Sequence, residues 1–109
     1  MSEKLHYSDI KFRIGLDDNK IPKRIDWIAE DSGMNKLDEA KAIMLSVYDP
    51  KSNDTLRIDL WTNEMKVDEM KRFFHQTLMS MSDTLERSTN EKELADDLRA
   101  FCEKFATKL

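Results

Sequence analysis

The side chains of this 109-residue chain that could do chemistry are two histidines, one cysteine and several paired carboxylates. Cys102 and His75 could form a nucleophile and its base, but only within hydrogen-bond reach of each other. Nothing in their spacing demands that they meet. Cys102 lies between Phe101 and Phe105 at helical spacing, so it reads as a small buried hydrophobe. His75 reads as a half-exposed residue on a helix flank, and His6 sits in the N-terminal stretch. A zinc site needs several ligands to converge, and no spacing here brings them together. Asp17-Asp18 and Glu30-Asp31 could ligate calcium, yet the twelve-residue calcium-loop pattern is missing at both, so they read as solvated turns. Glycine occurs only at positions 15 and 33, too few for a phosphate-cradling loop. The expectation is a protein with no catalytic residues, no cofactor and no metal, hence not an enzyme.

Composition points the same way. Lys+Arg is 18 against Asp+Glu 22, a formal net charge of −4, whereas domains that bind nucleic acid through bulk charge are usually basic. Apolar residues make up 39% and charged residues 37%, interleaved rather than in blocks, which suits a folded soluble domain. The length suits one domain spanning 1–109, since domains commonly hold about 100–200 residues. A single cysteine suits a reducing, cytoplasmic setting. The N-terminal residues carry no apolar core of a signal and no long apolar run follows, so neither secretion nor membrane insertion is expected.

The elements that must position any site follow from periodicity. Ile10, Phe12, Ile14 and Leu16 alternate with Asp9, Lys11 and Arg13, the period of a half-buried strand over about 8–16. Asp17-Asp18-Asn19-Lys20 is turn chemistry, and a second strand covers about 21–29, with Pro22 hinting at an edge. Pairing across the turn sets Leu16 opposite Ile21, Phe12 opposite Ile25 and Ile10 opposite Trp27. Residues 30–39 read as an acidic loop. Strands over about 40–48 and 55–61 flank a turn at 49–54. Their pairing places Val47, Leu45 and Ile43 opposite Leu56, Ile58 and Leu60.

After Trp61 the period becomes helical. Val67, Met70, Phe74, Leu78, Met81 and Leu85 mark a helix over about 67–88. Asn90, with Glu93 three residues on, reads as the capping box of a second helix over about 91–107, striped by Leu94, Leu98, Phe101, Phe105 and Leu109. The expected fold is α+β: one four-stranded antiparallel sheet in ββββαα order, with two C-terminal helices packed on one face. Its core should bury Ile58, Leu45 and Phe74 together. The opposite face should carry Lys11, Arg13, Arg24, Asp26, Ile28, Met44, Ser46, Tyr48, Arg57, Asp59 and Trp61. Met44, Tyr48, Arg57, Asp59 and Trp61 are the candidate interface, because Trp, Tyr, Met and Arg are enriched where proteins bind proteins.

Three blocks carry a resemblance. They are Glu39-Ala40-Lys41-Ala42-Ile43-Met44-Leu45-Ser46, Thr55-Leu56-Arg57-Ile58-Asp59-Leu60-Trp61-Thr62, and Val67-Asp68-Glu69-Met70-Lys71-Arg72-Phe73-Phe74-His75-Gln76-Thr77-Leu78. Together with Ile10-Lys11-Phe12, Leu16-Asp17, Asp83-Thr84 and Glu86-Arg87, they resemble GldC, the gliding motility-associated protein C family of Bacteroidetes. Val47-Tyr48 and Lys66 depart from that pattern. The resemblance implies a small protein without a catalytic motif, associated with the gliding apparatus. It implies protein partners drawn from the gliding or secretion machinery, and it assigns no site residues. The order of elements is also similar to that of the export chaperone SecB, a homo-oligomer, so a SecB-like holdase is the alternative expectation. Self-association is expected on either reading.

Overall fold

The computed structural model describes residues 3–109. Strands β1 (Ile10–Leu16), β2 (Pro22–Ala29), β3 (Asp38–Ala40), β4 (Ala42–Asp49) and β5 (Asp54–Trp61) precede helices α1 (Val67–Thr89) and α2 (Lys92–Ala106). The chain divides into two compact units, the first ending at Met65 and the second spanning Lys66–Leu109.

The first unit holds two antiparallel sheets, β1-β2-β3 and β4-β5, in place of the single four-stranded sheet expected. The reason is a bend at Lys41. The expected third strand survives as β4, and β3 forms at the end of the stretch read as a loop: Ala40 pairs with Ile25 of β2, whereas Ala42 pairs with Trp61 of β5. The Thr62 amide donates to the Lys41 carbonyl at 2.9 Å, so Lys41 still follows the β4–β5 register, one pair beyond Ala42–Trp61. Sharp changes of sheet partner are made by such local breaks in a strand.

The β4–β5 register is the expected one, with Val47, Leu45 and Ile43 facing Leu56, Ile58 and Leu60. Its turn is fixed by Asp49, whose carbonyl receives the Asn53 amide at 2.9 Å and whose carboxylate receives the Lys51 amide at 3.1 Å. Asn53 adopts a left-handed φ of 57°, which Asn tolerates better than most residues. The β1–β2 register differs from the expectation by two residues: Phe12 faces Trp27 and Ile14 faces Ile25. The Asp17 carboxylate accepts the Asn19 and Ile21 amides at 2.8 and 3.0 Å, fixing the turn. The Ile21 amide, then that of Asn19 and nearby Lys23, holds this carboxyl below its ordinary range. The surplus residue is absorbed by a bulge beside Gly15 and Leu16, which leaves Lys23 without an opposite number. A shift of two keeps every side chain on its expected face. Glu30–Ser32 forms one 3₁₀ turn, closed by Gly33 at φ 86°.

In the second unit α1 and α2 run antiparallel and meet through small side chains. Ser82, Ala95 and Cys102 are fully buried. Ile58 and Phe74, expected in the core, are not fully buried within their own units. Ile58 is 51% exposed and Phe74 44% exposed. A seam of Ser, Ala and Cys brings two helices close but leaves no room between them for a Phe. Asn90 ends α1 instead of capping α2: it takes a left-handed φ of 60°, and its amide donates to the Glu86 carbonyl at 2.8 Å. That is the C-terminal cap for which Asn is second only to Gly. Within the described residues of the first unit, Ile25 is the one fully buried apolar side chain.

Candidate interaction surface

Strand alternation puts Met44, Tyr48, Arg57, Asp59 and Trp61 on one face of the β4–β5 hairpin. The ladder confirms the placement: Met44 faces Asp59, Ser46 faces Arg57, Tyr48 faces Thr55 and Ala42 faces Trp61. The five residues thus share one face as a row, with Trp61 at one end and Tyr48 at the other. Trp61 is 56% and Tyr48 63% exposed, while Met44 is half-buried.

The polar groups on this face are held in place by one another. Arg57 Nη2 lies 2.7 Å from Asp59 Oδ1, two residues along the same strand, and Nε donates to Asp59 Oδ2 at 3.4 Å. Arg57 Nη1 donates to the hydroxyl of Ser46 on the facing strand. Tyr48 donates its hydroxyl proton to Asn53 Oδ1 at 3.1 Å. Both large polar side chains are therefore oriented before any partner arrives, which lowers the entropy lost on binding. Beside them, Ile21, Pro22, Asp59, Leu60 and Trp61 line an open cleft of about 270 Å³. Ile21 and Pro22 join Trp61 from a strand some forty residues away, a meeting that no local spacing could disclose.

Lys11, Arg13, Arg24, Asp26 and Ile28, expected on the same surface, belong to the other sheet. There Arg13 faces Asp26, and Asp26 faces Glu39. Arg24 is paired to Asp26 at 3.0 Å and to Glu39 at 3.4 Å, and Asp26 above all raises the guanidinium pKa. This is a surface of matched charges.

His75 and Cys102 meet, though not through the thiol. His75 Nε2 lies 3.1 Å from the Cys102 carbonyl oxygen, and its ring stacks on Phe105 with centroids 5.9 Å apart. The imidazole thus ties α1 to α2, while the Cys102 thiol is fully buried. Among the described residues, no three of His, Cys, Asp or Glu converge as a metal site would require. No helix there is long and apolar enough to cross a membrane.

Sequence reading also missed a charge cluster on the helices. Arg99 bonds Asp83, Glu86 and Asp96 at 2.9, 2.8 and 2.9 Å, and these carboxylates, Asp83 first, raise its pKa. Only the Asp96–Arg99 spacing of three hinted at it.

No curated protein matches the chain, and no solved structure does. One family model, described as gliding motility-associated protein GldC-like, matches residues 22–109. The matched stretch starts at the first residue of β2 and runs through both helices, leaving residues 1–21, β1 among them, outside. The chain therefore belongs to the GldC-like family of gliding motility-associated proteins.

Proposed function

We propose that this chain is a non-catalytic, cytoplasmic interaction protein of the gliding apparatus or its linked secretion machinery, and that it works as a homo-oligomer. Its contact surface is the outer face of the β4–β5 hairpin. The observation that supports this reading is the grouping of Met44, Tyr48, Arg57, Asp59 and Trp61 on one face of one hairpin. Trp and Arg are the commonest binding anchors, since each desolvates a large area while keeping a directional donor. Capture from the native host tests it. The chain should retain one or two gliding components, and the Trp61→Ala/Arg57→Ala variant should lose them. Because Trp61 and Arg57 are surface residues, that variant should melt within about 0.5 kcal/mol of the parent. A folded variant that keeps the same components would overturn the assignment of this face.

The holdase reading draws support from a different observation, the half-exposed apolar residues Val47, Leu56 and Ile58 on the hairpin's other face. A holdase would slow the aggregation of unrelated unfolded proteins. An interaction module would leave that aggregation unchanged.

A further inference from the structure

The helical unit has a two-sided construction. Seven residues separate His75 from Ser82 on α1, and seven separate Ala95 from Cys102 on α2. These four mark the sides on which the helices meet. Each is preceded directly by a large apolar residue: Phe74, Met81, Leu94 and Phe101. One residue back along a helix is a rotation of about 100°. The rotation has the same sense along each chain, and the helices run in opposite directions. All four large side chains therefore emerge on one side of the hairpin. Val67, seven residues before Phe74, extends the row. The ion pairs of Arg99 with Asp83 and Glu86 occupy the opposite side.

Nothing within the helical unit itself covers that apolar side. Val67, Phe74, Met81, Leu94 and Phe101 are 75%, 44%, 50%, 52% and 51% exposed. At side-chain areas of about 150–200 Å², they show roughly 500 Å² of apolar surface, the size of the largest patch on a typical monomer, which is often functional. It is most of the roughly 800 Å² that each partner contributes to a standard interface.

The rim of α2 points to the occupant. Asp97 and Lys104 lie just beyond Leu94 and Phe101 around the helix. They are seven residues apart, about 10.5 Å along the axis, too far to pair with each other. Neither side chain has a hydrogen-bond or ion-pair partner among the described residues. A two-fold axis across α2 midway between positions 97 and 104 brings each Asp97 to Lys104 of a second copy. The same axis lays the two Phe101 rings side by side. We propose that the apolar face of the α1–α2 hairpin is a self-association surface, covered by the same face of a second copy in an antiparallel four-helix arrangement. It supplies a surface for the self-association proposed above and does not depend on the outer β4–β5 face.

Sedimentation equilibrium of the full chain at micromolar concentration tests the proposal. A dimer is expected. Asp97→Lys and Lys104→Asp should each weaken it about tenfold, because each replaces two attractive contacts per dimer by repulsive ones. The double variant D97K/K104D exchanges the charges and should restore the parent affinity. Phe101→Asp should give a monomer. If that variant fails to fold, the charge exchange decides alone, since both rim positions are on the surface. A parent chain that stays monomeric would overturn the proposal, and so would a dimer that neither single reversal weakens. A dimer that instead dissociates with Trp61→Ala/Arg57→Ala assigns self-association to the β4–β5 face. Loss of gliding components by that variant, with the dimer intact, leaves both proposals standing.

Discussion

The β4–β5 and α1–α2 hairpins both fold a chain back on itself through a short turn, but opposite means hold them together. In the strand pair the backbones bond to each other along eight matched positions from Ala42–Trp61 to Asp49–Asp54, and the side chains are free to point into solvent. In the helix pair each backbone is satisfied within its own helix, so side chains alone join them. Ser82, Ala95 and Cys102 fill the seam, His75 reaches the Cys102 carbonyl, and Arg99 clasps Asp83 and Glu86. A backbone-built hairpin can offer its side chains for recognition at little cost in stability, whereas a side-chain-built hairpin cannot spare its seam.

Substitutions sharpen this contrast. Ile25→Ala should have the largest effect, about 2–5 kcal/mol by chemical denaturation, because it empties a fully buried site in the sheet unit. A loss under about 0.5 kcal/mol would place Ile25 at the surface. Ala95→Leu should cost about 1–3 kcal/mol by overfilling the helix seam. Should it cost nothing, the seam is looser than its buried residues imply.

The smallest effect is one of pH. The Lys92 ammonium, then Arg99, holds the Asp96 carboxyl below its ordinary value of 3.8. Its contribution is thus present above that value and lost as pH falls through the lower folded-state one. Asp96→Asn should melt below the parent at neutral pH, and the gap should close in acid. Lys92, raised above 10.5 chiefly by Asp96, behaves oppositely: its contribution is present below that value and fades as the pH rises through the higher folded-state one. A gap that persists unchanged in acid would show that the pair contributes nothing through charge.

Much of the fold could be read from the sequence where local chemistry decides it. The β4–β5 register follows from alternation plus one turn, and those two facts also put the five candidate interface residues on one face. The reading failed where a local pattern has two structural solutions. Asn90 suits the start of a helix and the end of one equally well. A strand read over about 40–48 does not reveal that the pairing partner changes at Lys41. Nor does an apolar stripe say what covers it. Phe74 and Met81 mark a helix face unmistakably, yet the helices meet through the smaller residues next to them.

The bend at Lys41 has a consequence for local opening. β3 is three residues long and bonds only to β2, while β4, directly beyond the bend, has its own full ladder to β5. Losing the three-residue pairing need not disturb the eight-residue one. Amides that join β2 to β3 should therefore exchange with solvent hydrogen through a cheap sub-global opening, while those of β4 and β5 exchange only when the whole hairpin comes apart. One uninterrupted run of chain would then show two protection levels that meet at a single residue.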